Sequence, residues 1–116
     1  MPDMAKGTTP RPSALIRTGV AQFPDTGVIY SGLFKQDASG LITHISALGA
    51  LYAGAGYYLR RFDQNLANEA LFNGYRAWVS GIKQELPIVD AIADLMSHEK
   101  WTPEDVARYL EKNLGL

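Results

Sequence analysis

The chain has 116 residues, of which 47% are hydrophobic and 20% are charged, and its formal net charge is −1. These proportions are ordinary for a globular protein, and the length predicts one domain whose core needs no disulfide or metal to fold. The absence of cysteine excludes a disulfide framework, a thiolate zinc site and a cysteine nucleophile. It also fits a reducing compartment, so we expect a cytoplasmic protein.

The first thirteen residues, MPDMAKGTTPRPS, are polar and contain no apolar run of the kind that a signal peptide needs. We expect residues 1–13 to be disordered and residues 14–116 to form the single domain. Charge is uneven along the chain, because residues 1–83 carry eight Lys/Arg and five Asp/Glu, whereas residues 84–116 carry three and seven. This asymmetry indicates either ordinary solvated faces or opposite poles that guide association.

Residues 14–35 predict a β-hairpin, because two runs of β-forming residues flank PDTG, a sequence with strong turn chemistry. A second turn signal, QDASG, precedes LITHI, whose alternation predicts a short strand at about 41–45 and an antiparallel meander. The alternative is a helix that begins at Leu41. We therefore expect an α+β fold, with a short N-terminal hairpin or three-stranded meander followed by three or four packed helices.

Helical periodicity begins at Ala47 and recurs in three later segments. The second helix is predicted over about 64–85 with Asp63 as its N-cap, and the third over about 88–98. The fourth has the strongest signal, because WTPED at 101–105 places threonine at the N-cap, proline at the first helical position and aspartate at the third. This arrangement is a variant of the capping box.

The segment from Ser46 to Leu59 is uncharged and contains three glycines. Extended back to Leu41, it approaches the length of a membrane span, but its polar and glycine residues make a span unfavourable. On a helical wheel, bulky and small residues occupy opposite faces and neither face is charged, which predicts a helix buried all round. We interpret the small face as a site of close helix–helix approach, and a bound ligand or a flexible loop is the alternative.

The second predicted helix has a similar stripe of small residues, which includes Ala67. Two such stripes allow two backbones to approach closely, either within an antiparallel hairpin or across a dimer axis. We therefore predict a homodimer interface built from the small residues of both helices. These interface residues are Ser46, Ala50, Gly54, Ala70, Gly74, Ala77 and Gly81.

Aromatic residues concentrate on the same two helices, and two arginines follow the first of them. Tyrosine combines an apolar ring with a polar hydroxyl and is frequent in pockets and interfaces. The alternative function is therefore a binding protein for an aromatic or anionic small molecule, or a small enzyme, with its pocket between the two helices. The residues that would line this pocket are Tyr52, Tyr57, Tyr58, Arg60, Arg61, Tyr75 and Trp78.

The sequence carries no catalytic or cofactor motif. His44 and His98 have no partner at metal-ligand spacing, and GAG at 54–56 lacks the downstream glycine of a dinucleotide fingerprint. We expect no cofactor and no metal. Our first hypothesis is a non-enzymatic interaction or regulatory protein that acts as a homodimer and has a protein partner. A weaker hypothesis is nucleic-acid binding, with affinity that falls steeply with salt, through Arg11, Arg17, Lys35, Arg60 and Arg61.

Overall fold

The computed structural model describes the backbone of residues 11–72, 76–79 and 84–115, and their side chains except within 69–85 and at 114. The helices are α1 (Pro12–Ala21), α2 (Ala47–Gly54), α3 (Gln64–Phe72), α4 (Ile88–His98) and α5 (Pro103–Tyr109), and a π-helical segment (Leu110–Leu114) continues α5. The strands are β1 (Gly27–Val28), β2 (Phe34–Gln36), β3 (Ile42–Ile45), β4 (Arg76–Val79) and β5 (Gln84–Pro87). The α+β class expected from the sequence is confirmed.

Residues 14–21, which the sequence predicts to belong to the first strand of a hairpin, form most of helix α1. The proline at position 12 lies in the first turn, where its missing N–H is not needed and its fixed φ suits the helix. Burial of one helix face outweighs the β-propensity of the segment's valine, isoleucine and threonine. Helix α1 includes Pro12 and Ser13, which the sequence assigns to the N-terminal segment, and residues 1–10 lie outside the described ones. The buried face of α1 includes Leu15, Ile16 and Gly19.

A three-stranded sheet follows α1, with the strand order β1–β3–β2. Strands β2 and β3 form the antiparallel pair expected around QDASG, where Asp37 Oδ1 accepts hydrogen bonds from the backbone N–H groups of Ser39 and Leu41. Strand β1 instead pairs with β3 in parallel, with Gly27 opposite His44, so the predicted antiparallel meander is wrong for this strand. Because the residues before PDTG are helical, β1 has no preceding strand to pair with, and it pairs with the free edge of β3.

Helix α2 lies in the core, and every residue from Ala47 to Ala53 is buried. The predicted helix buried all round is therefore confirmed over this range, and strand β3 excludes the alternative helix start at Leu41. Ser46 is the N-cap, and its hydroxyl oxygen accepts a hydrogen bond from the Gly49 N–H at 3.0 Å. No helix in the described part of the chain is both long enough and apolar enough to cross a membrane.

Helix α2 ends at Gly54. The helix predicted from the sequence extends five residues further, to Leu59. Ala55 is the C-cap, and Gly56 adopts a φ of +97°, a left-handed backbone conformation that favours glycine. The chain therefore leaves the helical path before it reaches Tyr57 and its neighbours. These residues do not continue the faces of α2.

Helix α3 begins after Asp63, whose Oδ1 accepts a hydrogen bond from the Leu66 N–H at 3.1 Å, as predicted for its N-cap. The helix ends at Phe72, however, and the antiparallel strands β4 and β5 replace the rest of the predicted helix over 64–85. The sequence between α3 and β4 contains Asn73–Gly74, a pair that favours turns, and β4 ends with Trp78 and Val79, two residues that favour strands. These preferences outweigh the helical spacing of the bulky residues.

Helices α4 and α5 agree with the sequence prediction. The capping box of α5 is complete, because the Asp105 N–H donates to Thr102 Oγ1 and the Thr102 N–H donates to Asp105 Oδ2, both at 3.1 Å. The two helices contribute buried apolar residues to the same core as α1 and α2. Those with the least exposure are Ile88, Ile92, Val106 and Leu110.

A cluster of charges around Arg17 joins α1 to α5 and the π-helical segment. Arg17 Nη2 lies 3.0 Å from Glu104 Oε2, and Arg17 Nε donates to Oε1 of the same carboxylate at 3.1 Å. The third nitrogen of the guanidinium, Nη1, pairs with Glu111. The two-point contact with Glu104 is the geometry that suits a guanidinium and a carboxylate. Hydrogen bonding to Arg17 lowers the pKa of both glutamates from the ordinary value.

Replacing Arg17 with glutamine should make folding less sensitive to acid. Because both glutamate pKa values are lowered in the folded state, the stabilisation is complete above the ordinary glutamate pKa of 4.5 and is lost as pH falls through the folded-state values. The free energy of unfolding, measured with urea from about pH 3 to about pH 7, should therefore fall more steeply for the wild type than for the variant. Parallel curves of unfolding free energy against pH would contradict the pairing of Arg17 with the two glutamates. Lys35→Gln, which changes an exposed lysine, is the control.

Candidate functional site

Helix α1 of the same chain covers the small-residue face of α2. A Cβ atom added at Gly19 would lie 1.9 Å from the carbonyl oxygen of Ala50, and one added at Gly54 would lie 1.8 Å from the carbonyl oxygen of Leu15. Glycine alone allows backbones to approach so closely. Ser46 and Ala50 are fully buried. The close helix approach predicted from the glycines is present, but the partner is α1 rather than the second predicted helix.

The second predicted stripe does not form one helix face. Ala67 is buried in α3 and Ala70 lies in the same helix, whereas Ala77 lies in strand β4, because the helix ends before it. Helix α1 of the same chain therefore covers the small residues of α2. The prediction of a second small-residue stripe along one helix over 64–85 is wrong, because no single helix covers that range. The predicted site residues Gly74, Tyr75 and Gly81 lie outside the described part of the structure, and so does the side chain of Trp78.

Two of the predicted pocket tyrosines belong to a packed aromatic cluster. Tyr52 is fully buried, and its ring centroid lies 5.0 Å from that of Phe62, whose ring lies 5.5 Å from that of Tyr57. The Tyr52 hydroxyl donates a hydrogen bond to Asn68 Oδ1 in α3. Burial raises the pKa of Tyr52 above its ordinary value. The cluster joins α2 to α3, so Tyr52 has a structural role and is not accessible to a ligand.

Tyr52→Phe should lower the free energy of unfolding by about 1 kcal/mol, because it removes the hydroxyl that donates to Asn68 Oδ1. Urea denaturation near neutral pH measures this change. Tyr58→Phe is the matched control, since that side chain is 63% exposed, and it should change stability by less than about 0.5 kcal/mol. Equal stability of the two variants would show that the buried hydrogen bond contributes nothing.

The other predicted pocket residues lie beside the sheet, at the surface. Arg60 Nη2 donates to the carbonyl oxygen of Gly40, and Nε donates to Gln36 Oε1 at 3.4 Å. The Arg60 guanidinium carbon also lies 6.0 Å from the centroid of the Tyr58 ring. Arg60 therefore ties the α2–α3 loop to the β2–β3 turn. A groove beside strand β3 and a groove along α5 are each lined by residues other than the predicted pocket residues.

Three of the arginines considered for nucleic-acid binding are engaged within the chain. Arg17 pairs with two glutamates, Arg11 donates to the carbonyl oxygen of Gly115 at 3.1 Å, and Arg60 is held on the β2–β3 turn. Lys35 and Arg61 are exposed and have no ion pair among the described residues. Two unpaired basic side chains provide much less positive charge than the basic patch typical of a nucleic-acid-binding surface.

Two exposed apolar side chains lie near the start of strand β3. Leu41 is 65% exposed and Tyr58, held close to the same turn by Arg60, is 63% exposed. Leu41 also forms one wall of an open groove of about 310 Å³. We call this region the Leu41 surface, and it comprises residues 23–26, 41–43 and 58–61.

Two unpaired charges of opposite sign belong to this surface. Asp25 lines the groove, on the side of β3 that pairs with β1. Arg60 contacts Gln36 of β2, on the opposite side of β3, and Arg61 follows it in the same turn. Both Asp25 and Arg61 are exposed and have no ion pair within the described residues. The surface therefore combines exposed apolar side chains with a free anion and a free cation.

The two histidines take part in local contacts. His98 Nδ1 lies 2.5 Å from Asp94 Oδ1, one turn earlier in α4, and His44 Nδ1 lies 2.9 Å from the Thr43 hydroxyl. Within the described ranges, no three His, Cys, Asp or Glu side chains form a group that could hold a metal ion. Each histidine therefore has a neighbour from its own element and is not part of a larger cluster of titratable groups.

Similarity to known proteins does not assign this chain to a class. No family model matches the sequence, and comparisons with curated proteins and with solved structures give no match.

Proposed function

We propose that this chain is a non-enzymatic interaction or regulatory protein that acts as a homodimer and associates through the Leu41 surface. The observation that carries the proposal is the exposure of Leu41 and Tyr58 in a region that also carries two unpaired, opposite charges. Exposed apolar side chains that share one surface are stabilised when a second surface covers them and removes them from water. The small-residue face of α2 is not the proposed interface, because α1 already covers it. We expect the dimer to be cytoplasmic.

The charges on this surface are complementary to those of a second copy. In a dimer with two-fold symmetry, each contact between residue i of one copy and residue j of the other occurs twice. In the proposed dimer, Leu41 lies near the symmetry axis and Asp25 of each copy faces Arg61 of the second copy. Two ion pairs then form without breaking one that already exists, which favours the correct orientation of the two copies.

Native mass spectrometry and sedimentation of the full chain over a range of concentrations test this proposal. We expect a species of twice the chain mass that dissociates on dilution. Leu41→Glu should raise the dimer dissociation constant at least about tenfold, because it places a charge in the apolar centre of the interface. Leu66→Glu is the matched control, since this leucine is 61% exposed but lies on α3, outside the Leu41 surface.

Two outcomes would contradict the proposal. One is a monomer at every concentration, and the other is a dimer that Leu41→Glu leaves intact while Leu66→Glu dissociates it. A monomer that carries additional bound mass would favour the alternative function, the binding of a small molecule. Mass spectrometry of gently purified protein reports the assembly and the bound mass in the same spectrum.

A further inference from the structure

A second groove, of about 400 Å³, lies along α5 and the π-helical segment. It shares no residue with the Leu41 surface. Two of its residues are aromatic, and the Trp101 and Tyr109 rings pack edge to face with centroids 5.2 Å apart. Both rings are half-buried, so part of each is accessible. The polar residues that line the groove are Asp105, Arg108, Lys112 and Asn113.

The acidic side chain of this groove is already engaged by the chain itself. Asp105 Oδ2 accepts the Thr102 N–H at 3.1 Å, and Oδ1 lies 3.7 Å from Arg108 Nη1. The other terminal nitrogen of Arg108 lies 3.6 Å from Glu104 Oε2. Arg108 is therefore shared between two carboxylates. Neither Asp105 nor Arg108 contributes an uncompensated charge to the groove.

Hydrogen-bond donors remain unused in the same groove. Asn113 Nδ2 donates one hydrogen to the Tyr109 carbonyl oxygen at 3.3 Å, which leaves its second hydrogen free. The Lys112 ammonium has no ion pair, and the Trp101 indole N–H has no acceptor, among the residues that the structure describes. Lys112 and Asn113 belong to the π-helical segment, a backbone form that is frequent at functional sites. The groove thus combines aromatic surface, free donors and one uncompensated positive charge.

We infer that this groove binds a small aromatic carboxylate. The ring of the ligand packs against Trp101 and Tyr109, and its carboxylate accepts hydrogen bonds from Lys112 and the other free donors. This use of the groove is independent of the dimer proposed above. For a ligand as small as benzoate, an open groove of this kind corresponds to a dissociation constant of about 1–10 mM.

Titration of the full chain with benzoate, observed by ¹H–¹⁵N NMR, tests this inference. The sequence contains two tryptophans, and Trp78→Phe identifies which indole N–H signal belongs to Trp101. We expect a saturable shift of the Trp101 signal. Benzamide, which has the same shape without the charge, should bind about fivefold more weakly, and so should acetate, which lacks the ring.

Two lysine variants separate the site from a general effect of charge. Lys112→Met should weaken benzoate binding about fivefold, whereas Lys35→Met, at another exposed lysine, should leave it unchanged. The inference is overturned if benzoate leaves the Trp101 signal unmoved, if the shift grows without saturating, if benzamide binds equally well, or if Lys112→Met has no effect. Leu41→Glu should not alter the titration, so failure of the dimer proposal remains distinguishable from failure of this one.

Discussion

Alanine at Gly19 or at Gly54 should lower the free energy of unfolding by about 3 kcal/mol or more. The added Cβ would lie 1.9 Å from the Ala50 carbonyl oxygen in the first variant and 1.8 Å from the Leu15 carbonyl oxygen in the second. Both obstacles are backbone atoms of a packed helix, so no change of side-chain rotamer relieves the overlap. Helices α1 and α2 would have to separate, and the centre of the core would lose contact.

Gly56→Ala is the matched control for this experiment. Gly56 has a φ of +97° and no atom within 4 Å of an added Cβ, so alanine there should cost only the backbone strain, about 1 kcal/mol. Urea denaturation of the three single variants measures the difference. Combining the alanines at Gly19 and Gly54 should cost less than the sum of the single changes, because both separate the same two helices. A Gly54→Ala variant as stable as Gly56→Ala would contradict the close contact.

Elements with local signals could be predicted from the sequence. The capping box at residues 102–105 and the Asp63 cap use hydrogen bonds between neighbours in the chain, so the residue types alone identify them. The same holds for the β2–β3 turn, which Asp37 closes with its own downstream backbone. These interactions need no distant partner, and their positions agree with the prediction.

Pairings between distant segments could not be predicted in the same way. The glycines of α2 indicate that another backbone comes close, but Gly54 contains nothing that specifies α1 as the partner. Helix α1 itself depends on burial against α2, which outweighs the β-propensity of its residues. Strand β1 pairs with β3 for a comparable reason, since the choice of edge depends on where the preceding helix leaves the chain.

The Leu41 surface is harder to predict from the sequence than the helices, strands and turns. Leu41 and Ile42 are adjacent and both apolar, so alternation cannot tell which one faces solvent, and only the fold makes Leu41 the exposed one. Three of the predicted pocket tyrosines are assigned to one glycine-rich helix, and the sequence does not show where that helix ends. Helix α2 ends at Gly54, so Tyr52 lies in the core while Tyr58 lies at the surface.

Reversing either unpaired charge of the Leu41 surface should dissociate the proposed dimer, and reversing both should restore it. In a dimer with two-fold symmetry, Asp25→Lys places two pairs of like charges in contact, and Arg61→Glu does the same. If reversal changes the binding free energy by about 1 kcal/mol in total for each of the two exposed pairs, a single variant should raise the dissociation constant about thirtyfold. The double variant has the opposite ion pairs and should return to within about threefold of the wild type. Sedimentation equilibrium at low salt measures all three constants.

Salt and a distant charge reversal provide the controls. Because these pairs are exposed, about 0.5 M salt should reduce the difference between the single variants and the wild type. Glu99→Lys, which reverses an exposed charge at the end of α4, should leave the dissociation constant unchanged. If the double variant dimerises as weakly as the singles, Asp25 does not face Arg61 of the second copy. If neither single reversal weakens the dimer, the two copies associate through another surface, and the orientation argued from Leu41 is wrong.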